Sequence, residues 1–234
     1  MVEASNGIIR NGFDRRMFLG TVASAGLLML PACATIGRLS YIDTVRRLLA
    51  LSTRNAFARL TEPNGFWDSA VARIYLPEVF GSSGGAIERL LVSETFRNKL
   101  QLLLNNIAED GARRAAPIVT DAIRMIGAED SLAILRGGQS AATAYLRNAM
   151  GGRLVEQMIP ALDDAMRIIE DPVLRNGISV LAGADIGEVA RSLAYEVDDS
   201  IWRQIGHEEA AIRANPEITD DPELIGALTA LKAL

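Results

Sequence analysis

Apolar residues recur along this chain at three- and four-residue intervals and almost never in alternation, which restricts it to helices. Ile42, Val45, Leu48, Leu49 and Phe57 form one stripe between Leu39 and Leu60. Ile87, Leu90, Leu91, Leu100, Leu103, Leu104 and Ile107 form a second from Ala86 to near Gly111. Val189, Leu193, Val197, Ile201, Trp202 and Ile205 form a third. Aromatic residues make up only 5% of the chain while Ala, Leu and Ile abound, so propensity also favours helix over strand. The expectation is an all-α fold, a single multi-helix domain of about seven or eight helices.

Pro and Gly divide these stripes. The stretch TEPNGFWDSAVARIYLPEVFGSSGG, residues 61–85, reads as a long connection too apolar to hang free, with a short extended piece at Ile74 to Leu76. Pro117 is expected to open a helix ending at Gly127, because proline is accepted in a first turn and pushes its predecessor out of helical geometry. A short helix from Glu129 to Leu135 stops at Gly137 and Gly138. Ser140 then caps the next helix, which Pro160 kinks or divides. After a weaker segment beyond Asp171 and Pro172, a long helix runs from near Asp185 to Asn215 and Pro216. Asp220, Asp221 and Pro222 read as another helix start.

The N-terminal stretch RRMFLGTVASAGLLMLPACA carries a different message. No residue from Met17 to Leu30 is charged, yet the run is shorter than the about 20 residues a spanning helix needs, so it reads as a signal peptide. Arg15 and Arg16, followed by Met17, Phe18 and Leu19, resemble a twin-arginine export signal. Leu30, Pro31, Ala32 and Cys33 resemble a bacterial lipobox, in which the cysteine is acylated and becomes the new N-terminus. The only cysteine in the chain stands where that chemistry requires it. The expected organisation is a signal peptide over 1–32, a tether over 33–40 and the all-α domain over 41–234. The expected location is the periplasmic side of the envelope, with several acyl chains on Cys33 anchoring the protein to the outer membrane.

Few residues suggest chemistry. His207 is the single histidine, flanked by Glu208 and Glu209, and this segment is expected to be a solvated helix face with no metal ligand set. The acidic pairs Asp163 and Asp164, and Asp198 and Asp199, are likewise assigned to solvent faces, with Arg167 and Arg203 as intrahelical partners. No nucleophile turn and no phosphate-binding glycine loop is present, so no catalytic residue, metal or cofactor is expected. A net charge of -5 argues against nucleic acid as a partner. The most pointed cluster is ILRGGQSAATAYLRNA, residues 134–149. Gly137, Gly138 and the following helix start offer free amides, and Ser140, Thr143, Tyr145 and Arg147 stand close in sequence. This is either a small-anion site or a tightly packed helix joint.

Three stretches carry a resemblance. GFWDSAVARIYLPEVF, DAIRMIGAEDSLAILRGGQSAATAYLR and IGHEEAAIRANP, in this order along the chain, resemble the motifs of the domain of unknown function 4197 family, over about Ile42 to Leu231. The resemblance implies an all-α fold and a bacterial envelope setting, and it implies no activity. The chain is therefore expected to be a non-enzymatic binding lipoprotein holding an apolar or amphipathic ligand between helices. The alternative is an adaptor that contacts another envelope protein through a helix face. Hydrolase or transferase activity ranks last, for want of a nameable nucleophile or base.

Overall fold

The computed structural model describes the backbone of residues 30–40 and the whole of residues 41–81, 93–127, 130–181 and 186–232. The chain divides into two units, Met1–Gly37 and Arg38–Leu234. The export residues Arg15, Arg16, Phe18 and Leu19 lie outside the described residues, as do the side chain of Cys33 and residues 86–92 of the second expected stripe.

Among the described residues every regular element is helical: α1 Leu30–Leu60, α2 Leu76–Phe80, α3 Glu94–Arg124, α4 Ser131–Arg136, α5 Ala141–Met150, α6 Arg153–Arg167, α7 Pro172–Leu181, α8 Ile186–Ala214 and α9 Pro222–Lys232, with a 3-10 turn at Pro216–Ile218. The fold is all-α, as the periodicity demands. The buried stripe of α8, which includes Val189, Leu193, Val197, Ile201, Trp202 and Ile205, is the third stripe of the sequence. It forms the centre of the domain, with α2, α3, α5 and α6 packed around it, and α6 also packs on α3. No described helix is long and apolar enough to cross a membrane.

Local signals and tertiary burial disagree at several places. α1 begins at Leu30, nine residues before the expected Leu39, and Pro31 stands in its first turn, where a missing amide costs nothing. Pro117 does not open a helix; it lies inside the continuous α3. The burial of Ala108, Ala112, Ala115, Val119 and Ile123 on one face runs through the proline and outweighs the hydrogen bond it removes. Pro160 likewise sits inside an undivided α6. The helix is not divided at Pro160; the break falls earlier, at Gly151, whose φ of 55° and ψ of -139° suit only glycine.

The weak segment after Asp171 is helix α7. The Asp171 carboxylate accepts from the amides of Val173 and Leu174 at 2.8 and 3.2 Å and so caps it. Asp221 caps α9 in the same manner, as the sequence indicates, through the amides of Glu223 and Leu224.

The connection after α1 is pinned over the body. Asn105, fully buried on α3, accepts from the Ile74 amide at 3.0 Å and donates to the Ile74 carbonyl at 3.0 Å. One side-chain amide thus satisfies both backbone groups that a neighbouring strand would otherwise take, which keeps this irregular stretch in the interior. The extended piece expected at Ile74 to Leu76 ends at Tyr75, and Leu76 begins α2.

Candidate functional site

The residues singled out in the sequence lie around the joint between α4 and α5. Gly137 ends α4; a Cβ there would meet the Ala141 Cβ at 2.7 Å, so glycine is what allows α5 to start so close to α4. Ser140 stands before α5 without making a side-chain cap. The cap comes from elsewhere. Glu209 of α8, with 0% exposure, accepts from the Ala142 amide at 3.1 Å, the Thr143 amide at 2.7 Å and the Thr143 hydroxyl at 2.6 Å.

Arg213, one turn further along α8, donates to Glu209 at 2.7 Å and to the carbonyls of Leu135 and Ile134 at 2.8 and 3.1 Å. One buried ion pair therefore satisfies the C-terminal carbonyls of α4 and the N-terminal amides of α5, each charge matching the dipole end it meets. The seat for an anion at this helix start is filled by the chain's own carboxylate. Burial of Glu208, at 7% exposure, and of Glu209 corrects the expectation of a solvated face; only His207 of the three is exposed. Glu208 accepts from Gln204 at 2.9 Å and pairs with Arg59 at 3.0 Å.

Arg147 reaches the other way, to Asp198 at 3.2 Å and to Asp199. Asp198 also accepts from the Trp202 indole at 2.9 Å. It is buried, which corrects its assignment to a solvent face, and burial raises its pKa against the opposing pull of Trp202 and Arg147. Arg203 turns instead to the Ser200 hydroxyl and the Val71 carbonyl, whereas Arg167 pairs with Asp163 at 2.8 Å as expected. Ser140, Thr143 and Arg147 share the rim of a depression of about 480 Å³ with Trp202 and His207. Gly137 and Gly138 line a different one of about 410 Å³, and Tyr145 is half-buried against the core. The six residues are therefore neighbours without converging on one point.

A larger concavity lies elsewhere. Arg46, at the middle of α1, donates to the Ile126 carbonyl at 2.7 Å, just past the end of α3, and Arg113 of α3 donates to the Thr61 carbonyl, just past the end of α1, at 2.9 Å. These two ties set α1 and α3 antiparallel. Between them runs a groove of about 1030 Å³ whose apolar lining includes Ala50, Leu51, Phe57, Ala58, Ala116 and Ile123. Its length, from Arg47 to Thr61, is about 21 Å at the helical rise per residue.

Arginines border the groove. Arg47 pairs with Asp221 at 3.1 Å and Glu223 at 2.7 Å, which raises its own pKa; the capped amides together with Arg47 lower that of Asp221. Arg113 pairs with Asp110, and Arg124 with Asp121 at 2.9 Å. Arg54 has no hydrogen bond or ion pair among the described residues. Beside it Thr53, only 3% exposed, has a buried hydroxyl with no partner. Neither was legible as a site residue: a lone arginine and threonine in a helix have no motif, and only the facing helix makes them a wall.

Among the described residues no group of three His, Cys, Asp or Glu side chains stands close enough to hold a metal ion. No curated protein and no solved structure shows a significant match to the chain. A family model described as a protein of unknown function, DUF4197, matches residues 35–226, which include all three motifs and the Glu209–Arg213 clamp that joins two of them, and the chain belongs to that family.

Proposed function

We propose that this is a non-enzymatic envelope lipoprotein whose helical body holds an apolar or amphipathic ligand in the groove between α1 and α3. The groove itself carries the reading: about 1030 Å³ of concave, largely aliphatic surface between two long helices is the size and character of a small-molecule site. The leader supplies the setting. Arg15 and Arg16 direct twin-arginine export, residues 1–32 are removed, and acyl chains on Cys33 hold the protein at the inner face of the outer membrane.

The test is native mass spectrometry, with organic extraction, of the full-length protein expressed in a bacterial host and purified gently from its membranes. A reproducible copurifying small molecule or lipid supports the reading, and a clean apo mass counts against it. Fractionation tests the setting: Cys33→Ala is expected to move the protein to the soluble fraction, and Arg15→Lys with Arg16→Lys to block export.

A second reading, an adaptor for another envelope protein, draws on one observation. Val173 and Val180 are seven residues apart on one face of α7 and are 65% and 57% exposed, with Ile168 at 75% just before them. In-cell crosslinks from this face to a single protein neighbour, together with a clean apo mass, would favour the adaptor.

A further inference from the structure

We propose that the occupant of the α1–α3 groove is a single-chain amphiphile with a cationic ammonium head, seated beside Asp220 at the Arg47 end, with its alkyl tail laid along the groove toward Thr61. This rests on the reading of that groove as a ligand site. The rim disfavours an anionic head. Arg47 stands between Asp221 at 3.1 Å and Glu223 at 2.7 Å, Arg113 is met by Asp110 and, at 3.7 Å, by Glu109, and Arg124 is met by Asp121. Asp220 is in the lining as well, so these six carboxylates stand against four arginines, the fourth being Arg54.

The excess of acid is concentrated at one end. Arg47 is already matched by two carboxylates, so Asp220, exposed beside Asp221, has no ion pair or hydrogen bond among the described residues. Arg46 and Asp43, at 3.8 Å from each other on the same stretch of α1, add no net charge. This end therefore attracts one positive charge and repels a negative one. A primary ammonium is a compact charge with three donors, which suits a set of carboxylate acceptors. Arg54 is two turns from Arg47, about 10 Å along the axis and about a Debye length away, with its exposed head in water. A head at the Arg47 end leaves the whole length of about 21 Å to the tail. Leu51, Phe57, Ala58, Ala116 and Ile123 provide apolar surface along it.

The experiment is calorimetric titration of the full-length protein carrying Cys33→Ala, which keeps acyl chains and the detergent they require out of the measurement. The probes are tetradecylammonium, uncharged tetradecyl maltoside, tetradecanoate and zwitterionic tetradecanoyl lysophosphatidylethanolamine, each below its micelle concentration. Tetradecylammonium is expected to bind one per chain, about threefold tighter than the maltoside, about tenfold tighter than tetradecanoate, and tighter than the zwitterion. Asp220→Asn is expected to weaken ammonium binding about threefold, and Asp220→Lys about tenfold with the order of ammonium and carboxylate reversed. Neither should affect the maltoside, because Asp221 and not Asp220 caps α9. Salt at about 1 M, which confines electrostatic attraction to about 3 Å, should bring the ammonium close to the maltoside.

Equal affinity for ammonium and maltoside, or no loss in Asp220→Lys, would overturn the head assignment while leaving the groove as a site. Tighter binding of the carboxylate would overturn the sign of the head, and tighter binding of the zwitterion the choice of a net cation. Ala58→Trp, which fills the groove from an exposed position, is expected to abolish binding of every probe. Undiminished binding in that variant, or no binding of any probe to the parent protein, would overturn the groove reading as well.

Discussion

Glu209 and Arg213 show how far a single side chain can act. The pair spans a gap of 66 residues, between α8 and the start of α5, and covers polar backbone groups of two other helix ends. Glu209→Gln keeps the shape but presents an amide N–H to the Arg213 guanidinium and removes the charge that the α5 amides converge on. A loss of about 3 to 5 kcal/mol is expected, the usual range for breaking a buried pair from one side. Denaturant unfolding measures it, and a loss below about 1 kcal/mol would mean the clamp matters little. Because both residues act through one network, Glu209→Gln and Arg213→Gln should be strongly non-additive. The four-residue spacing of the two charges was plain in HEEAAIRANP. Their burial was not, since charged side chains are buried only when paired, and the remaining partners stand on distant segments.

At the scale of the helix, the sequence was informative about which stretches are helical and misleading about where they end. Periodicity reports the buried face directly, so α1 from Leu39, the earlier part of α3 and α8 were legible. Proline reports only a local cost, which a long buried face can absorb; that is why Pro117, read as a helix start, is not one, and why Pro160, read as a kink or a division, does not divide its helix. A prediction follows from their exposure. Pro117 faces solvent, so Pro117→Ala removes no packing and restores an amide for the Arg113 carbonyl. Stability is expected to rise by about 1 to 3 kcal/mol, read from the shift in denaturation midpoint at unchanged slope. Gly151→Ala should move the other way by a similar amount, about 1 to 3 kcal/mol, because its backbone conformation is closed to residues with a Cβ. If Gly151→Ala were neutral, the turn between α5 and α6 would have to be different from the one described.

Over the whole domain, the acids fall into two groups with opposite responses to pH. Burial is the leading cause that raises Glu109, Glu196 and Asp198 above the ordinary carboxylate range. At Glu109 one carboxylate oxygen has no hydrogen-bond partner, and Arg113, which pulls the other way, stands 3.7 Å from the other oxygen. A group with a raised native pKa is protonated in the folded chain before the unfolded one, so the native state gains stability as pH falls from neutrality through that raised value. The gain is complete below the unfolded pKa, near 4. Asp221, held low by the α9 amides and Arg47, works in reverse: its contribution is present above the unfolded value and is lost as pH falls through its depressed one.

The expected profile therefore has its maximum on the acid side of neutrality, with decline on both flanks. Relief of the net charge of -5 acts in the same direction, so the profile alone does not assign the cause. Glu109→Gln does. It changes the net charge by one, as an exposed control such as Glu217→Gln also does, yet only the buried variant removes a proton that the native state binds preferentially. Urea unfolding across pH 4 to 8 should show Glu109→Gln more stable than the parent near neutrality, equal to it near pH 4, and with a flatter rise between. If Glu217→Gln flattened the profile as much, long-range repulsion and not the buried carboxylate would set the pH dependence of this fold.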